Sequence, residues 1–301
     1  MRTRPSAELA LLVTVLIWSG NFTAVKVGVT DIAPLAFSVV RFALGASVTV
    51  AVVLMREGRP RFQRRDLPLL LAAALIGITI NQVAFVTALQ ATSAANVALL
   101  IGTIPIWTAV IAVLTRQERV ARRLWLGLAA GLVGVTLIVV GGGEAVGGIS
   151  VVGELGALAT ALSWAVYSVL IRPLMRRYSA LQLSAFVMVV GTLVLVPFSA
   201  PSVLAQDWSA VPPDAWVGLL YAAILSVTVT NILYFTAIHR IGASRAALFA
   251  YLEPFLGVLI AVILLRDTVS VLQLAGGAVV LASVAVGRRG AGQPVIAEPG
   301  L

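Results

Sequence analysis

The sequence predicts an all-α polytopic membrane protein of ten transmembrane helices, built as two inverted-topology five-helix repeats. Three features predict it: the composition, ten long apolar runs between arginine-rich loops, and an internal repeat. Of 301 residues, 60% are hydrophobic and 11% charged, whereas soluble domains are about 45–50% apolar and about 25% charged. Because a soluble chain of this length buries only about three-quarters of its surface, most of this chain is expected to lie in lipid.

Ten apolar runs reach the length of about 20 residues that a membrane-spanning helix needs. Their side chains are apolar in all directions, which excludes the alternating pattern of β-barrel strands. Arg2 and Arg4 precede the first run, but no small-x-small cleavage site follows it, so an uncleaved span is expected rather than a signal peptide. The predicted spans 1 to 10 are 8–29, 33–55, 67–89, 94–115, 122–141, 152–171, 180–200, 214–238, 243–265 and 269–287.

The basic residues predict the direction of these spans. Eighteen of the 21 lysines and arginines lie before span 1, after span 10, or near the turns 2–3, 4–5, 6–7 and 8–9. The other three are Lys26, Arg41 and Arg266. The positive-inside rule therefore places both termini and the arginine-rich loops in the cytoplasm.

The two halves of the chain repeat one another. Trp18 recurs as Trp164, 146 residues later, and several further positions recur at an offset of 149. We expect a first repeat at 1–143, a glycine-rich periplasmic link at 144–149, a second repeat at 150–290 and a disordered tail at 291–301. Five spans are an odd number, so the second repeat enters the membrane from the opposite side, an arrangement typical of secondary transporters with a substrate site near the midplane. The pairs at offset 149 are Thr87-Ala88 with Thr236-Ala237, Pro105 with Pro254, Glu118 with Asp267, and Gly127 with Gly276.

These residues resemble the EamA-type transporters of the drug/metabolite transporter superfamily. The resemblance covers nearly the whole chain and rests on the order and repetition of short motifs. It implies ten helices, two EamA repeats, an inner-membrane location and export of amino acids or other small metabolites. The chain departs from the pattern at Asp267, where the family usually has Glu, and in the missing second-half counterpart of Arg41. The motifs are Trp18 to Lys26, Ala33-Pro34, Arg41-Phe42, Pro105, Glu118, Tyr251 to Pro254, and Asp267.

Two ionisable residues are predicted deep in the membrane, where a charge is costly and therefore a functional candidate. Arg41 lies about eight residues into span 2, about 12 Å deep at 1.5 Å per residue, and Glu253 lies about ten residues into span 9. Arg41 is a candidate for binding a carboxylate, and Glu253 for binding an ammonium or carrying a proton. The alternative for both residues is a structural ion pair or a charge that carbonyl groups cap. Lys26 and Arg245, near span ends, are expected to snorkel to the interface.

Aromatic and amide side chains inside the spans complete the predicted substrate site. A cavity lined by such groups suits a small amphipathic solute, although any one of them also serves helix packing. Pro105 and Pro254 each remove a backbone donor and are predicted to kink spans 4 and 9 as cavity walls. The predicted lining residues besides Arg41 and Glu253 are Trp18, Asn21, Asn81, Gln82, Trp107, Trp164, Tyr167, Asn231, Tyr234 and Tyr251.

Two acids at turns receive a structural interpretation. Glu118 and Asp267 precede spans 5 and 10, where a carboxylate complements a helix N-terminus. Gly127, Gly131 and Gly134 in span 5 permit close helix approach, which is expected within the monomer.

The sequence points away from catalysis. It has no cysteine and one histidine, which excludes thiolate and multi-histidine metal sites. The glycine-rich link lacks the Gly-Lys-Ser/Thr of a phosphate-binding loop. We expect no enzyme activity, cofactor, metal or nucleic-acid partner. The predicted function is export of small metabolites, most of all amino acids, by alternating access, with the bilayer and a small-molecule substrate as partners and a proton as a candidate co-substrate. The alternative is export of cationic drugs or other amphipathic solutes, and the oligomeric state stays open.

Overall fold

The computed structural model describes residues 4–143, 150–265 and 269–289, and within these ranges all regular structure is helical. Nine helices of these ranges are long and apolar enough to cross a membrane, and Val271–Gly287 forms a shorter apolar tenth. Asp267, the link 144–149 and the tail 291–301 lie outside the described residues. Spans 1 to 5 are Arg4–Asp31, Pro34–Arg56, Arg64–Ala91, Ala94–Ile101 with Ile104–Leu114, and Arg122–Gly141. Spans 6 to 10 are Val151–Leu174, Ala180–Ala205, Pro213–Ile241, Ala243–Leu248 continued by Leu252–Leu265, and Val271–Arg289.

Spans 4 and 9 are interrupted near their middles. Span 4 stops at Ile101 and resumes at Ile104, with Pro105 in the first turn of the second segment. Span 9 tightens into a 3₁₀ turn at Phe249–Tyr251, and Pro254 follows in the first turn of the next segment. Both prolines stand where a helix start needs no backbone donor, which is the position that proline tolerates best. The interruptions divide each span into two segments that pack separately.

Spans 3 and 8 each contain a π-helical segment, Leu75–Ile80 and Tyr221–Val229. The two segments begin at equivalent positions, 146 residues apart, but the second is nine residues long and the first is six. Each wide turn accommodates an extra residue, and such turns cluster at functional sites. The additional three residues explain why the offset between the halves changes from 146 at Trp18 and Trp164 to 149 after spans 3 and 8.

Matching hydrogen bonds tie each π segment to the other half of the chain. Thr79 Oγ1 in span 3 donates to the carbonyl of Gly191 in span 7 at 2.9 Å. Thr228 Oγ1 in span 8 donates to the carbonyl of Gly45 in span 2 at 3.1 Å. A Cβ at Gly191 would lie 2.4 Å from the Cβ of Ile78, so the close approach needs glycine.

The two halves pack against each other about a pseudo-two-fold axis. Span 1 contacts spans 8 and 9, and its equivalent, span 6, contacts spans 3 and 4. Span 2 packs against its equivalent span 7, and span 5 packs against span 10. Each half therefore contributes the same surfaces to the interface, as inverted repeats require.

The glycines of span 5 pack within the chain, as predicted. A Cβ at Gly127 would lie 2.8 Å from Cα of Gly287, and one at Gly134 would lie 2.9 Å from the carbonyl oxygen of Gly276. Both partners belong to span 10, so the seam between spans 5 and 10 brings backbone against backbone. Gly131 instead faces the ring of Tyr251 in span 9, 2.2 Å from the position of an added Cβ.

Candidate functional site

A chain of amide hydrogen bonds links Arg41 to the opposite half of the protein. Arg41 Nη2 donates to Gln82 Oε1 at 2.9 Å, and Gln82 Nε2 donates to Asn81 Oδ1 at 3.2 Å. Asn81 Nδ2 in turn donates to Ser163 Oγ and to the carbonyl of Thr160, both at 3.0 Å. The predicted residues Arg41, Asn81 and Gln82 are thus brought together in one hydrogen-bonded relay, which joins spans 2 and 3 to span 6.

Arg41 is a buried cation. Only 9% of its surface is exposed, and its guanidinium carbon lies 5.8 Å and 5.0 Å from the ring centroids of Phe37 and Phe42. Neither of the two ion pairs among the described side chains includes Arg41. Its Nε is buried and has no hydrogen-bond partner in the described part of the chain. A buried charged donor is normally paired, so Arg41 remains a candidate for binding an anion.

Four aromatic side chains from three spans form one cluster. The rings of Trp18 and Trp164 meet edge to face at 5.7 Å, and both contact Tyr234, at 5.4 and 6.0 Å. Tyr167 joins Trp164 at 5.6 Å. The indole Nε1 of Trp18 donates to Thr230 Oγ1 at 3.0 Å, which fixes its ring. This aromatic cluster comprises Trp18, Trp164, Tyr167 and Tyr234.

The backbone of Glu253 on span 9 contacts span 1 one residue away from Trp18. Its backbone carbonyl accepts a hydrogen bond from Ser19, the neighbour of Trp18, at 3.1 Å. The residue is half-buried, and the two ion pairs of the described chain do not include it. The structural alternative of an Arg41–Glu253 ion pair is therefore not what the structure contains.

The other predicted lining residues have varied surroundings. Asn231 accepts from the hydroxyl of Tyr167 at 3.3 Å, which connects it to the aromatic cluster. Asn21 has a buried Oδ1 for which the described residues offer no donor. Trp107 donates to Thr103 within span 4 at 3.1 Å, and Tyr251 donates to the carbonyl of Leu128 in span 5 at 3.0 Å. These last two side chains are thus held by spans 4 and 5 rather than by the relay or the cluster.

Two expectations about charged side chains were wrong. Glu118 does not cap span 5: its carboxylate accepts from the backbone N–H of Ala243 at 2.6 Å and pairs with Arg172 at 3.2 Å. The tight turn directs the side chain across to the start of span 9. Arg245 is 6% exposed rather than displayed at the surface, because its short helical segment packs between spans 4 and 8.

Sequence reasoning missed Ser163 and Arg172 as partners of the predicted residues. Ser163 is an ordinary small polar residue in a span, where packing is the usual role. Arg172 belongs to the arginine-rich loops, where an arginine is an ordinary topology signal. A signal for Arg172 exists in the repeat, because it lies 146 residues after Lys26, at the same offset as the paired tryptophans.

The family model of the EamA-like transporters matches this chain twice, at residues 5–140 and 151–287. The chain belongs to the EamA-like transporter family. It is therefore a multi-pass membrane transporter rather than an enzyme, and a small-molecule substrate and the lipid bilayer are its partners.

Several relatives match this EamA-like transporter over most of their length. An uncharacterized transporter of Archaeoglobus fulgidus is 28% identical over 278 residues, 92% of this chain and 95% of the relative. A probable terminal-alkyne amino-acid exporter of Streptantibioticus cattleyicolor is 27% identical over 278 residues, 92% of each chain. A crystal structure of a protein with 22% sequence identity superposes with a TM-score of 0.80, covering 94% of this chain and 98% of the other, which shows the shared fold.

Proposed function

We propose that this EamA-like transporter exports amino acids or similar zwitterionic metabolites by alternating access between its two repeats. The observation that carries the proposal is the buried guanidinium of Arg41, which has an unpaired Nε and forms neither of the ion pairs of the described residues. A buried cation without an acid is costly, and a substrate carboxylate would supply the missing charge through charge-assisted hydrogen bonds.

The relay beside Arg41 suits this role. Gln82 offers an amide oxygen to one guanidinium nitrogen and so orients the side chain without neutralising it. The faces of Phe37 and Phe42 add cation–π contacts, which stabilise a guanidinium in a dry site. The site therefore retains a full positive charge for an incoming anion.

An ammonium group would find acceptors toward spans 1 and 9. Asn21 has a buried oxygen with no donor in the described ranges, and Glu253 supplies a half-buried carboxylate. The alternative role of Glu253 is to carry a proton that drives export. The relative from Streptantibioticus cattleyicolor, named a probable amino-acid exporter, supports the same substrate class.

Export of cationic amphipathic compounds is the second candidate function. The aromatic cluster favours it, because Trp and Tyr faces bind cations and Ser19, the neighbour of Trp18 in the chain, contacts the backbone of Glu253. Arg41 argues against it, since a cation gains nothing from a second buried positive charge.

For the location we propose the bacterial inner membrane with both termini in the cytoplasm, as the arginine-rich loops indicate. We retain 1–143 and 150–290 as the two repeats. The arginine-rich face is the side of the bundle with the turns 2–3, 4–5, 6–7 and 8–9, and the opposite face is the side where span 5 ends and span 6 begins.

The decisive experiment is transport into proteoliposomes of three labelled solutes: an amino acid, the amine left by its decarboxylation, and a cationic drug. The wild-type protein is expected to carry the amino acid best. Arg41→Gln should reduce amino-acid transport by about tenfold, the loss of one charge-assisted contact, and Arg41→Lys should retain more of it. Transport of the drug and the amine without the amino acid would replace the first proposal with the second.

A further inference from the structure

One carboxylate joins three separate elements at the arginine-rich face. Glu118 lies in the turn between spans 4 and 5, in the first repeat. It accepts hydrogen bonds from the backbone N–H groups of Ala243 and Ser244, at 2.6 and 3.3 Å, at the start of span 9. It also pairs with Arg172 Nη1 at 3.2 Å, at the end of span 6. Spans 6 and 9 belong to the second repeat, so the contact crosses between the repeats.

The surroundings of this contact are closely fitted. The side chains of Arg172 and Glu118 are 9% and 11% exposed, and Arg172 Nη1 also donates to the carbonyl of Gln117 at 2.9 Å. Gly242 adopts φ +91°, and a Cβ there would lie 2.6 Å from Glu118 Oε1. The start of span 9 thus requires glycine both for its conformation and for the room that the carboxylate occupies.

The contact lies where the two broken spans close against each other. Ala243–Leu248 of span 9 packs against Ile104–Leu114 of span 4 at the arginine-rich face. At the opposite face the equivalent segments are Ala94–Ile101 and Leu252–Leu265, and they make at most slight contact over the residues that the structure describes. The described chain is therefore closed at one face and less closely packed at the other.

The burial of two equivalent residues, one in each repeat, reflects the different packing of the two faces. Lys26 and Arg172 occupy equivalent positions, 146 residues apart, near the ends of spans 1 and 6. Arg172 is buried in the contact with Glu118, whereas Lys26 is exposed. Inverted repeats change access by exchanging the conformations of their halves, and this exchange would invert the two environments.

We propose that Glu118, Arg172 and the start of span 9 form a lock that holds the arginine-rich face closed. Opening of that face breaks the ion pair and the two backbone hydrogen bonds together, exposes Arg172 and buries Lys26. The lock rests on the alternating-access part of the proposed function and is independent of the substrate. Glu118 and Arg172 are positioning residues of the transport cycle and do not touch the substrate.

The chain provides its own reporter for this exchange. Lys26 is its one lysine, so a membrane-impermeant amine reagent, followed by peptide mapping to separate the N-terminal amine, measures the exposure of Lys26 without any mutation. The lock predicts rapid labelling of Lys26 in the wild-type protein in proteoliposomes. Glu118→Gln should shift the equilibrium by about tenfold or more toward the state that is open at the arginine-rich face, because removing one partner of a buried ion pair is strongly unfavourable. Labelling of Lys26 should then be slower, since Lys26 is buried in that state.

A distance measurement completes the test. The absence of cysteine permits two spin labels at exposed sites on either side of the lock, Arg119→Cys and His239→Cys. The distance between them should lengthen with Glu118→Gln. It should stay near the wild-type value in Arg172→Lys, which keeps a cation beside Glu118. Arg177→Gln is the matched control, since it removes the other described ion pair of that face, with Asp66, and should leave the distance unchanged.

The outcomes separate the lock from the substrate proposal. Unchanged Lys26 labelling and an unchanged distance in folded Glu118→Gln protein would overturn the lock. If Glu118→Gln does not fold, Arg172→Gln in the same two measurements decides the matter. A protein that carries no amino acid but shows the exchange would refute the proposed substrate and keep the lock.

Discussion

Trp18 and Trp164 occupy equivalent positions in the two repeats, and their rings contact each other at a centroid distance of 5.7 Å. Two residues related by a two-fold axis touch only if both lie next to that axis. The tryptophan pair therefore marks the centre of the bundle. Tyr234 and Tyr167 contact the same pair and extend the aromatic cluster around it.

The first prediction concerns the charge of Arg41. Gln82→Glu would place a carboxylate where an amide oxygen now accepts at 2.9 Å from Arg41 Nη2. The new internal ion pair should compete with a substrate carboxylate and lower amino-acid transport by about tenfold or more. Thermal stability should be unchanged or higher. Transport in proteoliposomes and unfolding in detergent are the measurements, and undiminished amino-acid transport would contradict the role of Arg41.

The second prediction separates the candidate roles of Glu253. Glu253→Gln removes the charge but keeps the shape of a half-buried side chain. If the carboxylate binds an ammonium, the variant should carry amines and amino acids about tenfold less well and leave solutes without an amine unaffected. If it carries a proton, accumulation driven by a pH gradient should disappear while downhill exchange continues. Normal affinity together with a normal gradient response would remove Glu253 from the mechanism.

The third prediction uses two glycines in helices as a matched pair. Gly131→Ala would put a Cβ 2.2 Å from Cδ2 of Tyr251, whose ring is held by its hydrogen bond to Leu128. We expect a loss of about 1–3 kcal/mol of stability, the usual range for overpacking. Gly257→Ala meets no atom of the described residues within 4 Å and should be neutral or stabilising by up to about 1 kcal/mol. Unfolding in detergent compares them, and equal effects would contradict the packing.

The fourth prediction fixes the orientation. A reporter fused after Arg289 should lie in the cytoplasm, and one inserted at Asp207, between spans 7 and 8, should lie in the periplasm. A periplasmic reporter after Arg289 together with a cytoplasmic reporter at Asp207 would show that the orientation is the reverse of the one proposed. The same side for both would contradict an odd number of crossings between them.

The sequence predicted the spans well because lipid imposes a simple length and composition on them. Span 5 begins at Arg122 and ends at Gly141, and span 9 begins at Ala243, as predicted. Hydrophobicity carries no information on which neighbour a side chain will meet. Glu118 illustrates this limit: its helix-capping chemistry was predicted, but the helix that it caps lies 125 residues away in the chain.

The candidate site was predictable in its residue types and not in its connections. Polar residues in apolar runs identified Arg41, Asn81 and Gln82, because the membrane makes such residues exceptional. Their order in a relay depends on rotamers and on the π turn of span 3, which no hydrophobic pattern reveals. The one sign of the π segments in the sequence is the change of the repeat offset from 146 to 149. It shows that span 8 holds three more residues than span 3, which its longer π segment accommodates.

The unequal π segments have a consequence for how a duplicated protein diverges. An insertion in a regular helix rotates everything beyond it by about 100° per residue, which would turn span 8 away from its partners, spans 1 and 2. A π-helical turn is wider than an α-helical turn and holds additional residues. The side chains beyond it therefore keep their direction toward the neighbouring spans. The three extra residues of Tyr221–Val229 therefore changed the shape of one wall while the two-fold assembly survived. Duplicated halves that tolerate unequal insertions in this way are free to specialise one half and leave the other as the scaffold.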